Sequence, residues 1–147
     1  MSNPETLPIV FRPIAYEDKA FIFNSWLKSF RNGFMVKNVD NTIYFLNHHK
    51  IVDSCTTKGT TIICCDAQDS RIIYGYICFE HIEGQFVLHY IYIKEVYRKL
   101  GLGKMLLEKT GHDFNILGCY THQTPVALKH EANYNLVYHP YLIFNRG

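Results

Sequence analysis

The sequence lacks any apolar run as long as a membrane span requires. A transmembrane helix needs about 18 or more consecutive apolar residues, and the apolar runs within these 147 residues are much shorter. The first residues also lack the apolar core of a secretory signal, and Pro4 and Pro8 interrupt them further. We therefore expect a protein that is neither membrane-embedded nor secreted, and we expect it in the cytoplasm.

A strong excess of one charge is also missing. The 15 Lys and Arg residues nearly balance the 13 Asp and Glu residues, which leaves a formal net charge of +2. Domains that bind nucleic acid through its phosphates are usually far more basic. The 11 Tyr and 10 Phe residues are spread through predicted strands and helices. This placement favours core packing over base stacking, so the composition argues against a nucleic-acid binder.

Cysteine and histidine patterns typical of metal sites are absent as well. The five cysteines are odd in number and form no C-x-x-C pair, which favours reduced thiols. Cys64, Cys65 and Cys78 lie in predicted strands, where we expect buried packing residues. His48 and His49 are adjacent, but no further ligand stands at a suitable spacing. We interpret them as part of a polar helix face and expect no metal.

The sequence does contain enough apolar residues for one sizeable core. Hydrophobic residues make up 48% of the chain, and we expect a single domain over residues 1–147. The periodicity and the turn residues predict an order of elements, β-α-α-β-β-β-α-β-α-β. The predicted segments are 7–11, 17–30, a helix starting at 40 or 41, 60–65, 71–81, 86–93, 101–114, 118–121, 125–132 and an aromatic last segment over 133–144.

The segment 86–114 carries the clearest functional signal. Residues 86–93 are aromatic or aliphatic except for His89, as in a buried strand, and an amphipathic helix is predicted from Gly101. Between them stands the sequence RKLGLG, residues 98–103. Glycines let a backbone approach a ligand closely, and a helix N-terminus favours anions. With Arg98, Lys99 and Lys104 nearby, this junction predicts a site for a phosphorylated ligand.

The spacing excludes two common phosphate motifs. A dinucleotide fingerprint needs a third glycine or alanine, but Leu106 stands there. A P-loop that ends at Gly103 and Lys104 would open with glycine and continue with Ser or Thr, whereas the sequence has Arg98 and Met105. What remains is R-x-x-G-x-G after an apolar strand. This pattern resembles motif A, Q/R-x-x-G-x-G/A, of the GCN5-related N-acetyltransferase (GNAT) superfamily, whose loop cradles the pyrophosphate of acetyl coenzyme A.

The resemblance covers essentially the whole chain, because the predicted order of elements is also that of the GNAT fold. It implies an α/β (α+β) domain with a mixed, mostly antiparallel sheet and one splayed parallel strand pair. Arg12 and Asp18 resemble a pair near the start of many GNAT proteins, and we expect them to be structural. The ending Y-H-P-Y-L, residues 138–142, resembles that of small acetyltransferase-like proteins of bacteriophages.

The resemblance also implies which residues hold acetyl coenzyme A as a co-substrate. Main-chain groups of the strand would pair with the pantetheine arm, and main-chain N–H groups of the loop would meet the pyrophosphate. The matching residues are Ile91, Tyr92, Ile93, Arg98, Lys99, Leu100, Gly101, Leu102, Gly103 and Lys104. A main-chain contact from the same strand would polarise the thioester carbonyl.

His89 is the first candidate for the general base, because it is the titratable group of the apolar strand apart from tyrosines. GNAT proteins often use a glutamate on this strand or its neighbour, which makes Glu80 and His81 alternatives. The family's acid is commonly a tyrosine in N-x-x-A-x-x-L-Y-x-x-x-G-F. Here the chain departs from the pattern, and we name Tyr134 and then Tyr138 as substitutes.

Ala127 matches the alanine of the signature, but Glu131 then stands where tyrosine is expected. The sequence thus predicts direct acetyl transfer from acetyl coenzyme A to an amine. Two alternatives stay open: a GNAT-fold module that binds coenzyme A without catalysis, and a nucleic-acid-associated modifier on the same scaffold. The acceptor is also open, whether a protein or a small molecule, and the aromatic C-terminal segment could serve a homodimer.

Overall fold

The computed structural model describes residues 7–144, which form one six-stranded sheet with helices on both faces. The elements follow the order predicted from the sequence, so the predicted fold class is confirmed. Their bounds are β1 Ile9–Pro13, α1 Lys19–Phe30, α2 Asn41–Lys58, β2 Thr60–Asp66, β3 Ile73–Ile82, β4 Gln85–Ile93, α3 Leu102–Lys109, β5 Gly118–Tyr120, α4 Pro125–His130 and β6 Leu136–Tyr138.

Several element boundaries follow from local chemistry. Helix α2 begins where the Asp40 carboxylate accepts a hydrogen bond from the Ile43 N–H group at 3.2 Å. Helix α3 ends earlier than the predicted residue 114, because Gly111 adopts a left-handed backbone with φ of 75°. The turn between β3 and β4 consists of Glu83 and Gly84, both with positive φ, as in a two-residue type I′ hairpin.

The six strands lie side by side in chain order. Strands β1 to β4 are antiparallel to one another, whereas β5 runs parallel to β4 and β6 runs parallel to β5. The predicted parallel pair is β4 with β5, joined through α3. The second parallel pair was not predicted. It arises because α4 carries the chain back across the sheet before β6 begins, as a parallel connection requires.

Strand β4 contains a β-bulge at His89. On β3 the consecutive residues Cys78 and Phe79 pair with Tyr90 and Leu88, so His89 is an extra residue without an opposite partner. A bulge bends its strand and increases the local twist. It therefore bends β4 at the point where pairing with β5 also stops, and it changes the direction of the side chains that follow.

The sheet separates two apolar clusters. We call the side that packs on α1 and α2 the α1–α2 face, and the side that packs on α3 the α3 face. On the α1–α2 face lie Trp26, Phe30, Tyr44, Val52 and Tyr90, among others, and on the α3 face lie Phe86, Leu88, Leu102, Leu106 and Tyr120, among others. Cys64, Cys65 and Cys78 are buried in these clusters, as predicted.

Arg12 and Asp18 form a two-pronged ion pair between β1 and the start of α1. The two Arg12 terminal nitrogens donate to the Asp18 carboxylate at 2.6 and 2.9 Å. The same carboxylate accepts the Ala15 N–H group at 2.7 Å. Asp18 is 5% exposed. The pair thus fixes the angle at which α1 leaves the sheet, which is the structural role expected from the sequence.

Candidate functional site

The loop between β4 and α3 has the backbone shape of an anion site. Lys99 and Gly101 have positive φ values of 67° and 82°, so the chain turns sharply twice before α3 begins at Leu102. The first N–H groups of an α-helix have no partner within the helix. Those of Leu102, Gly103 and Lys104 therefore point away from α3, towards the space above the loop. This loop, residues 98–104, is called the α3 loop below.

Side chains anchor the α3 loop from below and leave its upper surface open. Leu102 is 3% exposed, and Leu100 also packs into the apolar cluster of the α3 face. A Cβ atom added at Gly101 would meet nothing within 4 Å. Lys99 and Lys104 are exposed at the rim, and Arg98 donates from Nε to the Ile93 carbonyl at 2.9 Å. The loop combines free amides, positive charge and room for a ligand.

The strands β4 and β5 separate before β4 reaches this loop. Their pairing ends at Leu88 opposite Tyr120, and the Thr121 N–H group donates to the Leu88 carbonyl at 3.1 Å. We call this point the fork. Beyond the fork β4 continues to Ile93. Among the strands of residues 7–144, this part of β4 pairs with β3 alone. The other edge of β4 therefore offers main-chain groups to an extended ligand that carries amides.

The residues predicted to hold the co-substrate thus form one continuous surface. Ile91, Tyr92 and Ile93 lie on the open edge of β4, and the α3 loop follows it after a short 3₁₀ turn at Glu95–Tyr97. An extended molecule with amides at one end and a diphosphate at the other would match this order of groups. The sequence pattern predicted the loop and the resemblance implied the strand residues, and in the structure the open edge of β4 leads to the loop.

A buried chain of hydrogen-bonded side chains starts beside the fork. Glu80 Oε1 lies 2.6 Å from His89 Nε2, and His89 Nδ1 lies 2.9 Å from Thr121 Oγ1. Thr121 Oγ1 lies 2.9 Å from His122 Nδ1, and His122 Nε2 lies 2.9 Å from Nε2 of His48 on α2. The exposed fractions of the four residues other than Glu80 are 5% or less. We call these five residues the polar chain.

The three imidazoles of the polar chain are neutral at pH 7. Burial lowers the pKa of His48 and of His89 to about 4. Burial also holds the pKa of His122 well below its ordinary value, and repulsion from charge on the other two histidines adds to this effect. The Glu80 carboxylate beside His89 favours the charged ring, but loss of water around the ring outweighs it.

The structure brings together two of the three predicted catalytic residues. His89 and Glu80 are direct hydrogen-bond partners. Tyr134 instead packs on the α3 face, where its ring meets Phe114 with centroids 5.4 Å apart. Tyr138, the other substitute, lies on β6 with its hydroxyl 3.7 Å from Met35 Sδ. Neither tyrosine contacts the polar chain, so the structure gives no geometric support to an acid at position 134 or 138.

Three members of the polar chain were missed in the sequence. The interpretation of His48 as a polar surface residue is wrong, because its ring is 5% exposed and bonded to His122, 74 positions away. The same interpretation is correct for His49, which is exposed. Thr121 was taken as the end of a strand, and His122 was given no role. A polar pair immediately after an apolar strand, at the point where a parallel pair separates, is the signal that could have identified them.

The described part of the chain contains no membrane-spanning helix and no cluster of three potential metal ligands. None of its helices is both long and apolar enough to cross a bilayer. Across residues 7–144, no three His, Cys, Asp or Glu side chains gather where they could hold a metal ion. The polar chain includes three histidines, but their linked ring nitrogens face one another, the hydroxyl of Thr121 and the carboxylate of Glu80 rather than a common point.

Comparison with known proteins places the fold. No protein-family profile matches the sequence, and no curated protein matches it. A GNAT-family acetyltransferase from Staphylococcus aureus has a TM-score of 0.61 at 18% identity, over 85% of this chain and 82% of that one. A possible acetyltransferase from Clostridium difficile has a TM-score of 0.56 at 15% identity, over 86% of this chain and 87% of that one.

A third similar structure is the histone acetyltransferase HPA2 and related acetyltransferase of Corynebacterium glutamicum. Its TM-score is 0.54 at 14% identity, over 70% of each chain. Other similar chains are longer, and the present chain spans 64% of a GNAT-family protein from Desulfovibrio desulfuricans at a TM-score of 0.47. The chain has the GNAT fold, with the forked strand pair and the α3 loop in the places where the resemblance predicted them.

Proposed function

We propose that the protein is an N-acyltransferase that passes an acetyl group from acetyl coenzyme A directly to an amine. The observation that carries this proposal is the continuity of the open β4 edge with the α3 loop. The pantetheine amides would pair with the main chain of Ile91 to Ile93, and the pyrophosphate would meet the N–H groups of the loop. Arg98, Lys99 and Lys104 would balance the phosphate charge.

The residues of the α3 loop suit acetyl coenzyme A. The side chains of Leu100 and Leu102 point into the core, which leaves the loop backbone to the phosphates. Placing the pyrophosphate on the α3 loop puts the thioester nearer the fork, because the pantetheine arm extends back along β4. A main-chain N–H group of β4 beside the bulge could then polarise the thioester carbonyl while the amine attacks. The C–S bond breaks and the thiolate of coenzyme A leaves.

The amine must lose a proton during this transfer. The side chain of His89 has no exposed surface, so a bound amine does not reach its ring in this conformation. His89 and Glu80 would therefore take up the proton through neighbouring groups. Holding donor and acceptor in line supplies much of the rate in such reactions. The acceptor class stays open between protein and small-molecule amines.

A second candidate function is coenzyme A binding without transfer. One observation favours it: the tyrosine expected near α4 is replaced by Glu131, whose carboxylate accepts a hydrogen bond from Tyr120 at 2.5 Å. Tyr134 lies on the α3 face, away from the polar chain. Under this alternative the open edge and the α3 loop keep their roles, and only the chemistry is absent.

Gly101→Glu tests coenzyme binding. The substitution places a side chain and a negative charge above the loop, so we expect the thermal stabilisation by coenzyme A to disappear. Gly111→Glu is the matched control, because Gly111 also has positive φ and open space but lies at the other end of α3. Both changes carry a similar backbone strain of about 1–2 kcal/mol. Coenzyme-dependent stabilisation retained by Gly101→Glu would refute the proposed site.

Turnover separates the two candidate functions. We would incubate the protein with acetyl coenzyme A and a panel of amines, and measure free coenzyme thiol and acetylated product by mass spectrometry. Thiol release that depends on the amine identifies the enzyme. Tight coenzyme binding without release across the panel would favour the binding module.

A further inference from the structure

The polar chain joins four separate parts of the fold. Glu80 lies on β3, His89 is the bulge residue of β4, Thr121 and His122 follow β5 at the fork, and His48 lies on α2. Its members come from positions up to 74 residues apart, yet each link measures 2.6 to 2.9 Å. Buried polar groups are costly unless they are paired, and here they pair with one another in a single line.

Only one arrangement of hydrogens fits an ionised Glu80. A carboxylate accepts only, so His89 must donate from Nε2 and accept at Nδ1. Thr121 then gives its single hydrogen to His89 and accepts one from His122 Nδ1. His122 in turn accepts at Nε2 from His48 Nε2. Every donor points towards Glu80. If Glu80 is protonated, every link reverses, and this second arrangement holds one proton more in total than the first.

We propose that the polar chain is a proton relay that carries the proton of the acceptor amine from His48, on α2, to Glu80, on β3. The inference rests on the proposed acetyl transfer. It assigns Glu80 as the terminal base, and His48, His122, Thr121 and His89 as the groups through which it acts. It also places the acceptor amine next to Nδ1 of His48, the ring nitrogen that does not link to His122.

The relay moves one proton in total, through five successive transfers. The N–H bond of the attacking amine breaks and an Nδ1–H bond forms on His48, while Nε2–H of His48 is lost to His122 Nε2. The Nδ1 proton of His122 moves to Thr121 Oγ1, and the Thr121 hydroxyl proton moves to His89 Nδ1. Finally Nε2–H of His89 breaks and an O–H bond forms on Glu80. The imidazoles end neutral in their other tautomers, and the one negative charge on Glu80 is neutralised.

The tautomers can be measured without turnover. Two-dimensional ¹⁵N NMR at pH 7 should show His89 and His48 protonated on Nε2 and His122 protonated on Nδ1. Glu80→Gln should remove this fixed direction, because an amide can donate or accept. A charged imidazole at any of the three positions, or His122 protonated on Nε2, would overturn the relay whether or not the protein is an enzyme.

Turnover tests the relay through Thr121. Thr121→Val keeps the shape but removes the hydroxyl that links His89 to His122, so we expect kcat to fall by about 100-fold. The KM for acetyl coenzyme A should change much less than kcat, since the Thr121 side chain is buried and the proposed coenzyme contacts are main-chain groups of β4 and the α3 loop. Thr121→Ser restores the hydroxyl and should return kcat to within about 3-fold of the wild type.

The outcomes separate the relay from the proposed function. Amine-dependent thiol release by the wild type, with equal kcat in the Val and Ser variants, would overturn the relay and leave the acetyltransferase standing. Bound coenzyme with no release by the wild type would overturn both. Loss of kcat in the Val variant, recovery in the Ser variant and the expected tautomers together would establish the relay.

Discussion

The backbone conformation of two single residues, His89 and Gly101, shapes the candidate site. At position 89 the backbone forms the bulge that bends β4 beside the fork, while the imidazole links β3 to the segment after β5. At position 101 the left-handed backbone directs the first N–H groups of α3 outwards. Both residues therefore connect the shape of the sheet directly to the proposed chemistry, and substitutions at them cannot be read as side-chain effects alone.

Asp18 offers a prediction at the residue scale. Burial raises the pKa of Asp18, but hydrogen bonds from Arg12 and from the Ala15 N–H group hold it below its ordinary value. Asp18→Asn removes the charge and leaves the Arg12 guanidinium without its partner. We expect the free energy of unfolding, measured by urea denaturation, to fall by about 3 kcal/mol.

The control is Asp69→Asn, because Asp69 pairs with Arg71 in an ion pair that lies at the surface. We expect its urea midpoint to match that of the wild type, since exposed ion pairs contribute little. Equal midpoints for Asp18→Asn and the wild type would show that the pair does not hold α1 to the sheet.

At the scale of elements, the β3–β4 hairpin carries both the bulge and the open edge. Its turn places Glu83 at a φ of 52°, in a region that glutamate adopts reluctantly and asparagine tolerates well. Glu83→Asn creates the Asn-Gly pair typical of type I′ turns. We expect the free energy of unfolding to rise by about 0.5–1 kcal/mol.

The same chemical change at Glu95 is the control. Glu95 is also exposed but has no positive φ, because it begins the 3₁₀ turn after β4. Glu95→Asn should therefore give no gain in a thermal or urea melt. A gain of equal size at both positions would mean that the lost negative charge, and not the turn geometry, is responsible.

The sequence predicted elements well where one local signal sufficed. The apolar strand of residues 86–93 and the glycines at the start of α3 are short-range features, and both appear in the structure. The end of α3 was predicted too late because an apolar periodicity continues past Gly111. The bulge at His89 depends on register with β3, which the strand's own residues do not encode.

The candidate site divides in the same way. The α3 loop could be predicted because its charge and its glycines are contiguous. The polar chain could not, since its links depend on tertiary placement: His48 meets His122 only after α2 packs on the sheet and β5 has paired with β4. His48 does share the helical spacing of the buried Tyr44, Val52 and Cys55. It was misread because other apolar residues of α2, namely Ile43, Phe45 and Leu46, are exposed and obscure that pattern.

At the scale of the whole molecule, the buried imidazoles make stability depend on pH. The folded-state pKa of His48 and of His89 is about 4, below the value of about 6.5 expected in the unfolded chain. The unfolded chain therefore binds more protons between these values, so stability is complete above about pH 6.5 and falls as the pH drops towards 4. We expect a loss of about 3 kcal/mol for each of the two histidines.

Urea denaturation at pH values from 7.5 to 4.5 would measure this slope. His48→Gln should reduce the slope, because one buried titrating group is removed. His49→Gln is the matched control, because it makes the same change at the exposed neighbouring position. Tyr44 packs beside His48 and Tyr90 packs beside His122 in the polar chain. Burial raises the pKa of Tyr90 to about 12, so its hydroxyl does not titrate in this range. A stability that stays constant across the range would contradict the burial of neutral rings.

The buried cysteines have a practical consequence for the kinetics. All five thiols lie inside the fold, and burial raises the pKa of Cys64 to about 11 and also raises that of Cys119. The thiolate is the form that attacks an aromatic disulfide reagent, so the native protein should stay colourless in an Ellman assay. A continuous colorimetric trace would then follow liberated coenzyme alone, and a sudden burst of five equivalents would report that the chain has opened.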